Sequence, residues 1–331
     1  MENNRYDETP QMSPGMAYCA GCGIPLVINP ILKAAHDTGV IPVTNSASGC
    51  AMVGFHIYPH SGMKDPVVHV VFETSAAGAS GVRASIDEQV SRDELKEGLF
   101  YPLVISGDGA TTDIGIASIS GMFARGERIL YVCYDNGFYA NTGCQYSSAT
   151  PVGAHTTTTP HAFLPTADYQ GKDMIAFALA HPAVKYIAHT TVSRHWPNDL
   201  REKARKGFTC DGPAYLHVIQ PCPRGWGYPQ NLILQVADAG VDTGVIPLYH
   251  IEREGDRFVH TFKWYLDYLP ERYEGGVVHP EIHPVSEWFE MQTRFKVSRK
   301  DLEWIADMQR SVDHKWVGEG GLLSKCQPYG S

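Results

Sequence analysis

Apolar runs of strand length alternate along the chain with stretches of helical spacing. The runs at 67–72, 101–106, 128–134, 184–189 and 214–219 are apolar almost throughout, so each expected strand is buried on both faces. Between them, 76–90, 113–125, 172–180 and 198–206 read as helices, the second stopped at Gly126. This order predicts an α/β fold, a doubly wound and mostly parallel sheet covered by helices on both faces. Ligands on such a sheet sit at the carboxyl ends of the strands. Residues 142–165 break the alternation. They are rich in Ser, Thr, Gly and Pro, and a loop of that length is expected to be functional or held by a partner. From about residue 249 the chain turns charged and aromatic with weak periodicity. The expected division is a ligand-binding domain at 1–250 and an extension at 251–331. The extension packs on the domain or a partner, or forms a small α+β unit.

Composition narrows the class. Of 331 residues, 43% are apolar and 19% charged, which suits a globular core and excludes disorder as the main state. Twenty-seven basic against 36 acidic side chains give a net charge of −9, which argues against nucleic acid as the main partner. No apolar stretch is long enough for a membrane span, and residues 1–9 lack the apolar core of a signal peptide. The expected location is cytoplasmic. Eight cysteines are many for that compartment, where disulfides are not the default. They are expected to be metal ligands, reactive groups or small buried hydrophobes.

Gly107-Asp108-Gly109-Ala110 follows an expected strand and opens a helix. Glycines let the backbone approach a phosphate, and a helix N-terminus favours the anion. Asp108 would repel that phosphate unless a divalent cation stood between them, which is the physical case for Mg²⁺ here. The next strand ends at Asp135-Asn136, with Asn136 placed 28 residues after Asp108. Parallel neighbours bring both loops to one sheet edge. GDG followed at this distance by Asn resembles the thiamine diphosphate motif. In that motif the side chains of Asp108 and Asn136 ligate the metal, and the backbone carbonyl of Phe138 completes the protein ligands.

Cys19-Ala20-Gly21-Cys22 is a CxxC near the N-terminus. A redox disulfide fits poorly beside Pro14-Gly15 and Pro25. Structural zinc wants a second pair at short spacing, and none is present. An iron–sulfur cluster takes four thiolates, which distant loops can supply. Cys50 in the loop 44–50 and Cys222 in Pro221-Cys222-Pro223 both follow expected strands. Spacing alone leaves a cluster, zinc and unrelated buried thiols open.

CAGCG, SGC, GDGATTDIG, YDNGFYANTG, SSATPVGAHTTTTP and CPRGW, in that order from about residue 13 to 250, resemble the β subunit of the 2-oxoacid:ferredoxin oxidoreductases. Pyruvate synthase is the best-known member. The resemblance implies a thiamine-diphosphate-binding α/β domain with an N-terminal cluster-binding segment, in which Cys19, Cys22, Cys50 and Cys222 hold one 4Fe-4S cluster. It also implies oxidative decarboxylation of a 2-oxo acid, electron withdrawal through the cluster, and departure of the acyl unit on coenzyme A. Asn141 matches an asparagine near the thiazolium and substrate. Phe72 and Glu73 match a Phe-Glu pair near the pyrimidine and cluster. Cys133, Cys144, Cys210 and Cys326 have no matching role. Cys133 reads as core and Cys144 as a packed bystander near the site. His155 is the one histidine worth watching, and no base is assigned.

The glutamate that polarises the aminopyrimidine comes in this family from an α-type subunit, and its motif is absent here. The chain is therefore expected to be catalytically incomplete without that partner. A γ-type subunit and a ferredoxin-like subunit with further clusters are also implied. The acceptor is ferredoxin, or NAD through a flavoprotein subunit. Pyruvate-type members usually carry an acidic residue where this chain has Gly137. The loss of a carboxylate there suggests an aryl 2-oxo acid such as phenylglyoxylate, with pyruvate and oxalate as alternatives. Two rival functions are a cluster-free thiamine-dependent decarboxylase and a zinc-stabilised scaffold without thiamine.

Overall fold

A computed structural model of the chain describes residues 11–57, 60–162, 171–254 and 261–328. Helix α1 (Ile24–Asp37) buries Ile24, Val27, Ile28, Ile31 and Ala35, one face of a helical period. Pro25 stands in its first turn, where the missing N–H has no helical partner to lose. Strand β1 (Ile41–Ala47), helix α2 (Cys50–Phe55), strand β2 (Val67–Val70) and helix α3 (Ser75–Ser91) follow. Strand β3 (Phe100–Gly107) runs into a π-helical turn (Gly109–Ile114), helix α4 (Ile116–Arg125) and strand β4 (Leu130–Asp135). Beyond the long loop come α5 (Met174–Leu179), β5 (Tyr186–Thr191), α6 (Asp199–Thr209), β6 (Ala214–Ile219) and α7 (Ile233–Asp242). The chain continues through β7 (Tyr249–Glu254), β8 (Thr261–Leu266), α8 (Val285–Glu290), α9 (Leu302–Val317) and β9 (Cys326–Pro328).

These nine strands form one sheet in the order β9-β8-β7-β5-β6-β4-β3-β1-β2. Every pair from β2 across to β5 is parallel. Strand β7 runs antiparallel to both β5 and β8, and β9 lies parallel to β8. Side chains of the inner strands alternate between two cores. Leu103, Ile105, Leu130 and Val132 pack with α1 and α6, whereas Val104, Tyr131 and Cys133 pack with α3 and α4. That alternation is the doubly wound, mostly parallel arrangement expected from the continuous apolar runs. No described helix is long and apolar enough to cross a membrane.

The expected strand at 67–72 ends at Val70 and, as the edge strand β2, is not buried on both faces: Val68 is 39% and Val71 61% exposed. Three further differences from the expected elements have local causes. Helix α1 has no counterpart among the expected elements, and Pro30 is accommodated within it. Residues 44–49, read as loop, are strand as far as Ala47. Thr44, Asn45 and Ser46 are fully buried between β2 and β3, and polar residues at a sheet centre carry no apolar signal. The helix expected from 113 begins earlier, in the π-helical turn directly after Asp108. The division between 250 and 251 falls inside β7. Beyond it, Trp288, Phe289, Phe295 and Trp304 form an aromatic cluster with Phe138 and Trp226 from the strand-end loops.

At the far side of β5, buried Lys203 lies 3.0 Å from Asp267, whose carboxylate also sits 3.0 Å from His250 Nδ1. Burial pulls the Asp267 carboxyl upward, but the His250 hydrogen bond and the Lys203 ammonium outweigh it and leave it below the usual range. Its stabilisation is complete above the unfolded-state value of about 3.9 and is lost as pH falls through the lower folded-state value. Asp267→Asn is expected to cost about 3 kcal/mol at neutral pH and to flatten that acid dependence. Urea unfolding at several pH values checks both, and an unchanged midpoint at neutral pH would refute the pairing.

Candidate active site

The carboxyl ends of β1, β2, β3, β4 and β6 lie side by side, so Cys50, Phe72, Asp108, Asn136 and Cys222 all arise from one sheet edge. Register places Gly107 beside Tyr134 and Asp135 beside Ile219. A cavity of about 240 Å³ opens there, lined among others by Cys50, Phe72, Asp108, Tyr134, Asn136 and Asn141. Gly107, Gly109 and Phe138 also line it.

Asp108 is buried. Its Oδ2 accepts a hydrogen bond from Ser147 Oγ at 2.5 Å, while Oδ1 has no hydrogen-bond partner. Asn136 Oδ1 is likewise buried without a partner. Burial drives the Asp108 carboxyl well above its ordinary range, and the neighbouring Asp135 charge adds to the rise. The surrounding backbone is tightly held. Asn136 O accepts from Trp226 Nε1 at 2.7 Å, Gly137 N–H donates to Asp135 Oδ1 at 2.8 Å, and Thr150 Oγ1 donates to Gly137 O at 2.7 Å. Tyr139 donates its hydroxyl to Asp113 Oδ2 at 3.0 Å and lies directly against Gly109, where a Cβ would strike its ring. A π-helical turn, the conformation found here, is a rare one that is frequent at functional sites.

Cys50 lines this cavity, and Cys19, Cys22 and Cys222 lie within electrostatic reach of it. All eight cysteines are free, and Cys19 is exposed while Cys22, Cys50 and Cys222 are half-buried. A thiolate at Cys222, Cys22, Cys19 or Cys144 would disfavour ionisation of Cys50, and one at Cys222 or Cys19 would do the same to Cys22. Burial pushes the Cys22 and Cys50 thiols up to about 12, and it also raises Cys222. Backbone N–H groups work in the opposite direction; that of Gly225 donates to Cys222 Sγ at 3.4 Å. Among the described residues, no three His, Cys, Asp or Glu side chains stand close enough to enclose one metal ion. Cys50 alone of the four lines the cavity as well.

Of the other expected site residues, Phe72 lines the cavity with its ring centroid 5.7 Å from that of Tyr139. Asn141 lies at the exposed mouth. Glu73 is not brought to the site: it is exposed, outside the lining, and its carbonyl accepts from Ser118 Oγ at 3.0 Å. Gly137 does not face the substrate space either. It adopts φ +78°, and a Cβ there would point at Arg294 Nη1, 3.1 Å away, and Pro151 Cδ, 3.2 Å away. His155 is exposed and donates its backbone N–H to Arg294 O at 2.7 Å. Cys133 is buried in β4 as core, and Cys144 lies within electrostatic reach of Cys222 and Cys19. The expected loop at 142–165 supplies Ser147 and Thr150; its last residues, 163–165, lie outside the described residues. Tyr134, Tyr139, Ser147 and Arg294 were not singled out from sequence. The first three lie inside quoted motifs, whereas Arg294 has no motif around it.

The chain matches the family described as thiamine pyrophosphate enzyme, C-terminal TPP binding domain, over residues 47–218. It is 35% identical over 306 residues to pyruvate synthase subunit PorB of Methanocaldococcus jannaschii, covering 92% of this chain and 94% of that one. It is 31% identical over 311 residues to ketoisovalerate oxidoreductase subunit VorB of Pyrococcus abyssi, covering 92% and 89%. A solved 2-oxoglutarate:ferredoxin oxidoreductase from Magnetococcus marinus shares the fold with a TM-score of 0.53 at 23% identity, over 68% of this chain and 70% of that one. The match to the thiamine pyrophosphate domain, together with relatives of this identity over nine-tenths of the chain, establishes that the chain belongs to the β subunits of the 2-oxoacid:ferredoxin oxidoreductases.

Proposed function

We propose that Asp108, Asn136 and the carbonyl of Phe138 hold Mg²⁺ against the diphosphate of thiamine, and that Cys19, Cys22, Cys50 and Cys222 hold one 4Fe-4S cluster beside it. The observation that carries the first part is the pair of buried oxygens, Asp108 Oδ1 and Asn136 Oδ1, that lack partners in residues lining one cavity. A desolvated carboxylate left half-satisfied costs on the order of kilocalories per mole. A hard cation that takes oxygen ligands offsets that cost and also removes the repulsion between Asp108 and a phosphate. The cluster part is supported by four free thiols from three separate segments within electrostatic reach of Cys50, and by a backbone N–H donated to Cys222 Sγ.

When bound, thiamine diphosphate supplies the nucleophilic carbon and electron sink for loss of CO₂ from a 2-oxo acid, and the cluster accepts electrons singly. The chain's own residues position these groups. Ser147 orients the Asp108 carboxylate, Tyr139 backs the Gly109 turn, and Phe72 walls the cavity. Asn141 donates from the mouth to a substrate oxygen that gains negative charge. Asp108 is the only carboxylate lining the cavity among the described residues. The acid that polarises the aminopyrimidine must then enter from an α-type partner at the open mouth. A γ-type subunit, a ferredoxin-like subunit and coenzyme A complete the assembly, with ferredoxin rather than a flavoprotein and NAD as the first acceptor.

For substrate, the first reading is pyruvate, as in the names of the PorB relatives. The aryl acid phenylglyoxylate loses its structural ground, because Gly137 faces Arg294 and not the cavity. The test is the complex purified without oxygen. Thiamine, Mg²⁺ and about four iron and four sulfide per copy, after subtraction of partner clusters, are expected. Thiamine without iron would leave a cluster-free decarboxylase, and zinc without thiamine would leave a scaffold. Specificity constants for pyruvate and phenylglyoxylate on the same sample decide the substrate.

A further inference from the structure

We infer that His217, backed by Tyr215, is a positioning residue for the proposed cation site: it orients the Asp135 carboxylate, which in turn sets the backbone that carries Asn136. The inference rests on the cation reading above, and every link in it is a hydrogen bond. The Tyr215 hydroxyl stands 2.8 Å from His217 Nδ1, and His217 Nε2 stands 2.9 Å from Asp135 Oδ2. A carboxylate oxygen accepts, so Nε2 is the donor. Asp135 Oδ1 accepts the Gly137 N–H at 2.8 Å and closes an Asx turn around Asn136.

These groups meet because of strand register. Cys133 of β4 pairs with His217 of β6, and Asp135 lies two residues further along, on the same face. Tyr215 lies two residues before His217 on that face. All three are buried. A buried carboxylate, imidazole and phenol destabilise a sheet unless each is bonded, and apolar side chains of similar volume would close the face as well. The opposite face does so with Leu130, Val132, Leu216 and Val218. The polar row differs from it in what it reaches, the backbone of a cavity residue. The imidazole is also fixed through its face. It stacks on the His189 ring with centroids 5.4 Å apart and planes 8° from parallel, and His189 Nδ1 is itself bonded to Pro247 O at 2.7 Å.

Asn136 Oδ1 is buried without a hydrogen-bond partner, so no bond at that atom aims it. Its direction follows from its backbone, which is held at three points. Trp226 Nε1 donates to Asn136 O and Thr150 Oγ1 to Gly137 O, each at 2.7 Å, and Asp135 takes the Gly137 N–H. A carboxylate can rotate about its own bond, and His217 removes that freedom from Asp135. A ligand aimed before the metal arrives loses less freedom on binding, and partners of this kind are worth roughly 10- to 100-fold in metal affinity. No bond forms or breaks at His217, and no proton needs to leave it.

The test uses the complex purified without oxygen and stripped of Mg²⁺ and thiamine. Mg²⁺ is titrated at saturating thiamine diphosphate, with bound thiamine and thermal unfolding of the stripped complex as the readouts. H217L removes the donor, H217Q supplies an amide N–H in place of Nε2, and Y215F removes only the hydroxyl behind the ring. H217L is expected to raise the Mg²⁺ midpoint about 10- to 100-fold. H217Q is expected to return it close to the parent, whatever its thermal midpoint. Parent-like Mg²⁺ binding in H217L overturns the inference. So does an equal loss in H217L and H217Q, which would make His217 a packing residue. If H217L fails to assemble, Y215F decides: a several-fold rise in the Mg²⁺ midpoint supports the inference, and a parent-like midpoint overturns it. A parent that holds thiamine diphosphate equally well without Mg²⁺ refutes the cation reading instead, so the two failures are distinguishable.

Discussion

An Asp108→Asn complex is expected to retain thiamine diphosphate at least about 100-fold more weakly, since even outer partners of a metal site are worth 10- to 100-fold. Turnover falls with it. The substitution keeps the shape of the side chain and removes the anionic oxygen that would face the proposed cation. Folding is not the expected casualty. Burial already penalises the Asp108 charge in the ligand-free chain, and Ser147 Oγ donates to the oxygen that an asparagine would still present. Thermal unfolding without cofactor should therefore be unchanged or slightly higher. Thiamine titrations with and without excess Mg²⁺ read the effect directly. Parent-like thiamine retention would remove the cation from the account, and the two unpartnered oxygens would then need another occupant.

Cys50→Ala is expected to separate the two halves of the chemistry. Cys50 lines the strand-end cavity and lies within electrostatic reach of the other three motif cysteines, which on the proposed reading puts it between cofactor and cluster. Removal of one thiolate of four is expected to abolish this subunit's iron signal and to reduce acceptor reduction by roughly 100-fold or more. Thiamine content should hold, because Asp108 and Asn136 are untouched. Release of CO₂ without matched acceptor reduction would be the positive signature. Unchanged acceptor reduction would mean that electrons leave by a route that does not involve these cysteines.

The interplay of local and long-range contacts explains which parts of this site are readable in one dimension. The strands β3, β4, β5 and β6 are legible because both of their faces are apolar, and GDG with its distant Asn is legible because the proposed cation chemistry needs those residue types. Cys133 as core follows from its position within an apolar run, and it is fully buried. Helix α1 is hidden by its prolines, and β1 by the buried Thr44, Asn45 and Ser46. Glu73 and Gly137 show the limit of matching positions. Each neighbours a cavity residue in the chain, yet Glu73 is exposed and Gly137 faces the other way.

Element order, parallel topology and the types of chemistry at strand ends were set by local pattern, since hydrophobic period and glycine placement act over a few residues. Which side chains meet was decided only on folding. Ser147 reaches Asp108 across 39 positions, and Trp226 reaches the Asn136 carbonyl across 90. Arg294, from a segment with no motif at all, arrives against Trp226 because the aromatic residues of α8, α9 and the turn between them bury themselves against the strand-end loops. Burial of apolar area drives that docking without regard to sequence distance, and so it carries a charge against Trp226 that no spacing announces.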